Sequence, residues 1–336
     1  MPTELALAGA IFVALCLYFV LAGADFGGGV WDLLAMGPRA ARQRAAVAHA
    51  IGPVWEANHV WLILVVVLLF SGFPRAFAVI SVALHVPLTL FLVGVVLRGA
   101  AFAFRGFDAT SDRAQRRWGR VFSVASTIAP LLLGMAVGAL ASGRVRVARG
   151  GLVTGGFFAP WLTPFSWALG AFALALCAFL AATYLTVELE VAEPDLAEDF
   201  RRRALASGVV VGAAALAALV LAGDGAPLVR EALATRGWRF PFHLATGFAA
   251  VTALAALARR SYRAARAAAV AQTVLILCGW AASQYPFLVV PDVTLASAAA
   301  NPQTRVLLLV ALAVGVPVLA PSLLVLFRVF KAARRA

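Results

Sequence analysis

The sequence has few charged residues. Charged residues make up 13% of its 336 positions, whereas soluble domains average about 25%. Apolar residues make up 63%, against about 45–50% in soluble domains. This composition excludes an ordinary soluble domain and predicts a polytopic, all-α membrane protein.

Cysteines are also scarce. The chain has three, each within an apolar run and none close in sequence to another: Cys16, Cys177 and Cys278. This spacing argues against a disulfide framework and against a zinc site. The sequence also has no CxxCH, no HExxH, no Walker loop and no dinucleotide fingerprint after a strand. We therefore expect this chain to bind no metal and no haem or nucleotide cofactor.

The four histidines are not arranged as haem ligands. His85 and His243 are isolated in apolar runs, and His49 is expected in a loop. A haem site would need paired histidines at related depths in facing helices. A structural, hydrogen-bonded role is therefore favoured for each histidine.

The chain has a strong excess of basic residues, with 28 Lys and Arg against 15 Asp and Glu. The basic residues form short clusters between apolar runs, which is typical of topology signals beside lipid headgroups rather than of a nucleic-acid surface. The larger clusters follow the odd-numbered predicted spans, with Arg98 left inside the third span. This asymmetry predicts an external N-terminus and a cytoplasmic C-terminus.

About nine apolar runs are long enough to span a bilayer. They fall near 5–24, 55–72, 77–104, 121–142, 166–188, 204–222, 240–258, 265–284 and 304–328. Pro87 predicts a kink in the third. We expect two four-helix bundles, within 1–142 and 166–286, followed by a ninth helix and tail at 304–336. Acids that end the first and fifth runs suggest an internal duplication.

Polar residues cluster at the start of the second run, which reads IGPVWEANHVWLILVVVLLFSGFP over 51–74. Glu56, Asn58 and His59 lie within about one turn, between Trp55 and Trp61. A carboxyl group at the mouth of an apolar helix is costly, which favours a functional role for Glu56. Asn58 is typical of a hydrogen-bond partner between helices rather than of a reactive group.

A second acid, Asp25, is expected to end the first helix, in the segment AGADFGGGVWD. Gly27, Gly28 and Gly29 permit either close backbone approach or a break in the helix. A desolvated carboxyl group here could carry protons across the membrane boundary. The alternative is a structural carboxylate paired with Arg39, Arg42 or water.

Three connections outside the membrane spans carry further signals. The segment 189–203 changes from acidic to basic, which we interpret as a solvated helix start rather than a site. The connections 143–165 and 285–303 contain proline and aromatic residues and are expected to pack at the membrane interface.

Several motifs resemble one known family. GADFGGGVWDLL and GPVWEANHVWLILVVVLLFSGFPRAFA resemble subunit II of the cytochrome bd-type quinol oxidases, in particular the cyanide-insensitive branch. A third match is QYPFLVVPDVTLASAAANPQT at 284–304, which includes Pro286 and Pro291. The segment 105–283 matches the family mainly in hydropathy and helix order.

The resemblance implies a bacterial inner-membrane complex that oxidises quinol, reduces oxygen to water and takes up cytoplasmic protons. Haems b and d would lie in subunit I, and this chain would be a haem-free partner that is not catalytic alone. The motif acids correspond to Asp25 and Glu56, although many members have aspartate where Glu56 stands. Several members have glutamine at the position of His59.

The resemblance leaves some ligands and partners open. A quinone fills subunit II in some members, and a small single-helix subunit is a further candidate partner. The alternatives from other classes are a transporter or small-solute exporter and a purely structural scaffold. A transporter usually places polar residues near the middle of several spans, whereas here the acids lie near the predicted ends.

Overall fold

We describe a computed structural model of the chain, which covers residues 2–51, 55–107, 112–148 and 150–332. Thirteen helices lie in these ranges: α1 (Pro2–Leu33), α2 (Ala40–Ile51), α3 (Trp55–Gly72), α4 (Pro74–Ala83), α5 (His85–Phe107), α6 (Asp112–Ala141), α7 (Pro164–Leu189), α8 (Pro194–Gly225), α9 (Pro227–Thr235), α10 (Arg239–Ala258), α11 (Tyr262–Gln284), α12 (Leu295–Ala298) and α13 (Pro302–Ala332). Four short strands form two antiparallel pairs: β1 (Arg146–Val147) with β2 (Val153–Thr154), and β3 (Phe287–Val289) with β4 (Val293–Thr294).

Within these described ranges, eight helices are long and apolar enough to cross a membrane. The count rises to nine if α2 and α3, which meet at 54°, form one broken span. The predicted all-α, polytopic class with about nine spans is therefore confirmed. The division into two four-helix bundles and a ninth helix stays a prediction.

The first span is longer than predicted. Asp25 does not end it, because α1 continues through the three glycines to Leu33. His49, expected in a loop, lies instead in α2. The helical rise of about 1.5 Å per residue makes α1 roughly 48 Å long, which exceeds the hydrocarbon core of about 30 Å.

The kink expected near Pro87 is present as a break at Leu84 between α4 and α5. Leu84 has φ −117° and ψ 21°, outside the helical region. Proline has no N–H to donate and its ring clashes with the carbonyl of the residue four positions earlier. That residue is Ala83, the last of α4.

Helices α1 and α7 pack against each other at the centre of the fold. One apolar cluster joins α1 mainly to α2, α7, α8, α10 and α11, and it also includes Ala101 of α5 and Phe122 of α6; Leu180 and Ala204 are fully buried in it. The other joins α1 to α3–α6 and the two strand pairs, with Leu7 and Phe73 fully buried. Phe19 of α1 packs against both clusters, so α1 links the two halves of the chain.

The connections 143–165 and 285–303 pack against each other. The Asp292 carboxylate accepts hydrogen bonds from the Val147 N–H, at 2.8 Å, and from Nε of Arg146, at 2.9 Å. The Val290 N–H donates to the Leu140 carbonyl at 3.1 Å. Pro286 and Pro291 both follow cis peptide bonds in this segment.

Ion pairs tie the start of α2 to the first turns of α8. Arg39 contacts Asp199 at 2.5 Å, and Arg42 contacts both Glu193 and Asp195 at 2.7 Å. The alternative that paired Asp25 with Arg39 or Arg42 is therefore wrong, because the acids of the 189–203 segment hold these arginines. That segment does begin a helix, as predicted, and it also fixes α2.

Candidate functional site

Three consecutive glycines bring three helices around Asp25. A Cβ atom at Gly27 would overlap the Cys177 carbonyl of α7, one at Gly28 would overlap Ile51 of α2, and one at Gly29 would overlap Ser126 of α6. Successive helical residues point about 100° apart, so each glycine admits a different neighbour. The glycines therefore permit close approach, and the predicted alternative of a helix break is wrong.

The Asp25 carboxylate is buried, with 6% of the residue exposed. The side-chain amide of Asn58 donates a hydrogen bond of 2.6 Å to it. Asn58 itself is only 3% exposed. This bond joins α1 to α3 and gives Asn58 the interhelical role expected from the sequence. A buried charge needs such partners to be tolerated.

The other predicted polar residues of α3 occupy different surroundings. His59 is half-buried, and its ring meets Tyr18 at 5.8 Å and Phe26 at 6.1 Å, both edge to face. Trp61 is half-buried against the apolar cluster of α1 and α3–α6. The side chain of Trp55 lies outside the described part of the structure.

The structure does not bring Glu56 to Asp25. Glu56 is exposed in this chain, whereas Asn58, two residues later, is buried against Asp25. Two helical steps correspond to about 200°, so the two side chains leave α3 in nearly opposite directions. The two motif acids therefore do not share one site within this chain.

Arg98 of α5 lies near the site and was not among the predicted site residues. It is 1% exposed, and its guanidinium lies over the rings of Phe26, at 4.9 Å, and Phe122, at 5.6 Å. It also interacts electrostatically with Asp25. The sequence feature that could have identified Arg98 is its position as a single charge within an otherwise apolar span, since such a residue is a functional candidate by default.

A cavity of about 80 Å³ adjoins Asp25, between α1, α2, α3 and α7. Its polar lining consists of Asp25, Asn58, Tyr184 and Glu188, and we call it the Asp25 cavity. At about 30 Å³ for each liquid water, it has room for two or three molecules. Glu188 is half-buried, whereas Glu190, two residues later, is exposed. The cavity therefore places two carboxyl groups at the wall of the same small volume.

A third acid of α1, Asp32, lies about two turns beyond Asp25. It is 3% exposed, and the hydroxyl of Ser123 donates to its carboxylate. The indole N–H of the adjacent Trp31 donates to the Ala178 carbonyl at 2.8 Å. These bonds fix the last turns of α1 against α6 and α7.

The histidines do not form a paired site in the part of the chain that the structure describes. His49, His85 and His243 are exposed, and His59 contacts aromatic rings. Among the described residues, no group of three or more His, Cys, Asp or Glu could hold a metal ion.

Comparison with known proteins gives a match over almost the whole chain. The family model described as cytochrome bd terminal oxidase subunit II matches residues 3–330. One chain of the bd oxidase structure from Geobacillus thermodenitrificans has the same fold, with a TM-score of 0.80, 23% identity and coverage of 98% of this chain and 99% of that one.

Two curated relatives match over shorter segments. Subunit 2 of the cytochrome bd ubiquinol oxidase of Bacillus subtilis is 32% identical over 118 residues, 35% of this chain and 34% of the relative. Subunit 2 of the cytochrome bd-I ubiquinol oxidase of Escherichia coli K12 is 31% identical over 147 residues, 43% of this chain and 38% of the relative. The matched part of this chain thus spans little more than a third of each relative's length.

Proposed function

Because the chain belongs to the family of cytochrome bd terminal oxidase subunit II, we propose that it is the haem-free subunit of a membrane complex that oxidises quinol and reduces oxygen to water. The haem-bearing subunit I would carry the oxidation and reduction steps. This chain would assemble with it and supply a route for protons taken up from the cytoplasm. The family match favours this function over the transporter and scaffold alternatives.

The observation that carries the proton route is the Asp25 cavity. Asp25 is buried, is held by Asn58 and lines the same small cavity as Glu188. A carboxyl group can accept and release protons, and two or three waters could connect two such groups by hydrogen bonds. Glu188 would take the proton near the end of α7, and Asp25 would receive it inside the bundle.

Arg98 supports the electrostatics of this route. Its charge is buried and interacts with that of Asp25. When Asp25 is ionised, the two charges balance each other, and when Asp25 is protonated the site gains net positive charge. That gain would favour passing the proton onward rather than keeping it on Asp25.

Glu56 would act at the boundary with subunit I. It is exposed in this chain and points away from Asn58. A carboxylate facing hydrocarbon would be costly, so a polar surface of the partner is the favoured neighbour. His59 would pack beside Asn58 without being a ligand. Quinone binding by this chain and a small single-helix partner subunit stay predictions.

We propose the orientation from the arginine clusters, with the N-terminus outside and the C-terminus in the cytoplasm of a bacterial inner membrane. Asp25 and Glu188 would then lie toward the cytoplasm, the source of the protons. A C-terminal reporter that works only in the cytoplasm should be active, and one that works only on the outer side should be inactive. Activity of the outer-side reporter would overturn the orientation and, with it, the direction of the proton route.

Assembly is tested by affinity purification of the tagged chain from membranes. We expect a haem-rich partner to co-purify, and we expect the chain to contain no haem when it is expressed alone. Haem bound by the isolated chain, or stable solute transport by it, would contradict the proposed role.

The proton route is tested by Glu188→Gln in the assembled complex, with Glu190→Gln as the matched control. Both changes remove one carboxylate near the end of α7, but only Glu188 lines the Asp25 cavity. We expect Glu188→Gln to lower oxygen consumption and to change its pH dependence, at unchanged haem content. Equal rates for the two variants would refute a role for the cavity.

A further inference from the structure

A second, larger cavity lies between the end of α1, the first turns of α2 and the first turns of α6. Its volume is about 560 Å³, within the range of about 300–1,000 Å³ for small-molecule sites. Its charged lining consists of Arg44, Arg116, Arg120 and Asp32, and we call it the arginine cavity. It is distinct from the Asp25 cavity, with which it shares no lining residue.

The charged lining of the arginine cavity is mainly cationic. Three guanidinium groups face one carboxylate, and that carboxylate, Asp32, is 3% exposed and accepts a hydrogen bond from Ser123. The acids of α8 hold Arg39 and Arg42 and do not line this cavity. A planar guanidinium presents two parallel N–H donors that match phosphate oxygens. The cavity therefore favours a phosphate-bearing anion.

Arg44 is held in place at one wall of the cavity. Its Nη2 donates to the Ala35 carbonyl at 2.8 Å and its Nε to the Asp32 carbonyl at 3.3 Å. Arg116 and Arg120 lie one helical turn apart on α6, and both are exposed. One arginine is thus fixed by the backbone of α1, while two more lie on the facing helix.

The residues around this cavity are typical of the level of lipid headgroups. Trp118 of α6 stacks on Phe104 of α5, with ring centroids 4.9 Å apart, and tryptophan is enriched at membrane–water interfaces. The apolar part of α6 begins at Val121, directly after Arg120. Leu33, which lines the cavity, is 43% exposed. An occupant here would meet both cationic and apolar groups.

We propose that the arginine cavity binds the phosphate of an anionic glycerophospholipid from the leaflet on the arginine-rich side. The guanidinium groups of Arg116 and Arg120 would contact the phosphate, and Leu33 would adjoin the start of the acyl chains. Inorganic phosphate shares the anionic chemistry but has no apolar part to place beside Leu33. This inference does not depend on the proton route.

The test uses the whole complex, purified in mild detergent and titrated with phosphatidylglycerol while lipid retention is followed by native mass spectrometry. The variant Arg116→Gln/Arg120→Gln is compared with Arg117→Gln, which lies on the same helix but does not line the cavity. We expect the double variant to weaken phosphatidylglycerol binding by at least about tenfold. Arg117→Gln should change it little, and phosphatidylcholine should not compete.

Three results would overturn the proposal. An equal effect of Arg117→Gln would mean that only the general positive charge matters. Displacement of the lipid by inorganic phosphate at similar concentration would mean a free-anion site. Unchanged binding in the double variant would mean that the cavity holds no lipid. If the double variant does not assemble, Arg116→Lys/Arg120→Lys keeps the charge and, without the paired donors, should still weaken binding.

Discussion

Replacing Gly27 by alanine tests the close packing that surrounds Asp25. The new Cβ would fall on the Cys177 carbonyl oxygen and against the Ala181 side chain. A backbone carbonyl within a helix cannot turn aside as a side chain can, so α1 and α7 would have to separate. Overpacking typically costs about 1–3 kcal/mol, and the upper end applies here. The greater helix propensity of alanine offsets about 1 kcal/mol of this cost, so the free energy of unfolding should fall by about 2 kcal/mol.

Gly9→Ala is the matched control, because it lies on the same helix and its Cβ would meet nothing within 4 Å. It should be neutral or stabilise the chain by up to about 1 kcal/mol. Thermal unfolding of the purified complex compares the two. A Gly27→Ala complex as stable as the Gly9→Ala complex would refute the account of α1 and α7 packing.

Three further changes test other contacts. Arg42→Gln should lower the melting temperature of the complex at low salt, and high salt should shrink the difference because exposed ion pairs are screened; a salt-independent difference would contradict this. Although partial burial opposes ionisation, the Val147 N–H and Arg146 lower the pKa of Asp292. The stability that ionised Asp292 gives the folded chain should thus be complete above the ordinary aspartate pKa of about 3.9 and be lost as the pH falls below it. Asp292→Asn should remove that part of the pH dependence of the melting temperature. Arg305→Ala should destabilise the chain by about 3 kcal/mol, because Glu4 contacts Arg305 at 2.6 Å and would keep a largely buried charge. The double variant Arg305→Ala/Glu4→Ala should recover part of the lost stability. No recovery would refute the coupling between the two residues.

Apolar run length predicted most of the spans, because a bilayer imposes that length on any helix that crosses it. The predicted run 55–72 coincides with α3, and the break near Pro87 follows from the missing N–H of proline. The extension of α1 past Asp25 was not predictable in this way. Glycine in sequence is compatible with both a break and a close contact, and only the packed neighbours decide between them.

The site was predictable only in part, because the sequence does not show which helices pack together. Polar residues in apolar runs single out Asp25 and Asn58, and the fold brings these two together. Single-helix spacing cannot say which other helix supplies a neighbour. Glu188 and Arg98 therefore join the site only when α7 and α5 are packed against α1.

The exposure of Glu56 could not be read from the motif either. Glu56 and Asn58 are close in sequence, but the helical repeat sends them to opposite sides of α3. The partners of Arg39 and Arg42 were likewise hidden, because they lie about 150 to 160 residues away in sequence. Such long-range pairs depend on tertiary packing rather than on local pattern.

Proton uptake coupled to oxygen consumption tests the central claim most directly. The complex is reconstituted in vesicles, and uptake from the side that carries the arginine clusters is measured for the unmodified protein and for Asp25→Asn. Asparagine keeps the shape and the hydrogen-bond acceptor for Asn58 but cannot carry a proton. We expect Asp25→Asn to assemble with its haems and to lose most of the coupled uptake and turnover. Normal uptake at a normal rate would contradict a proton route through Asp25.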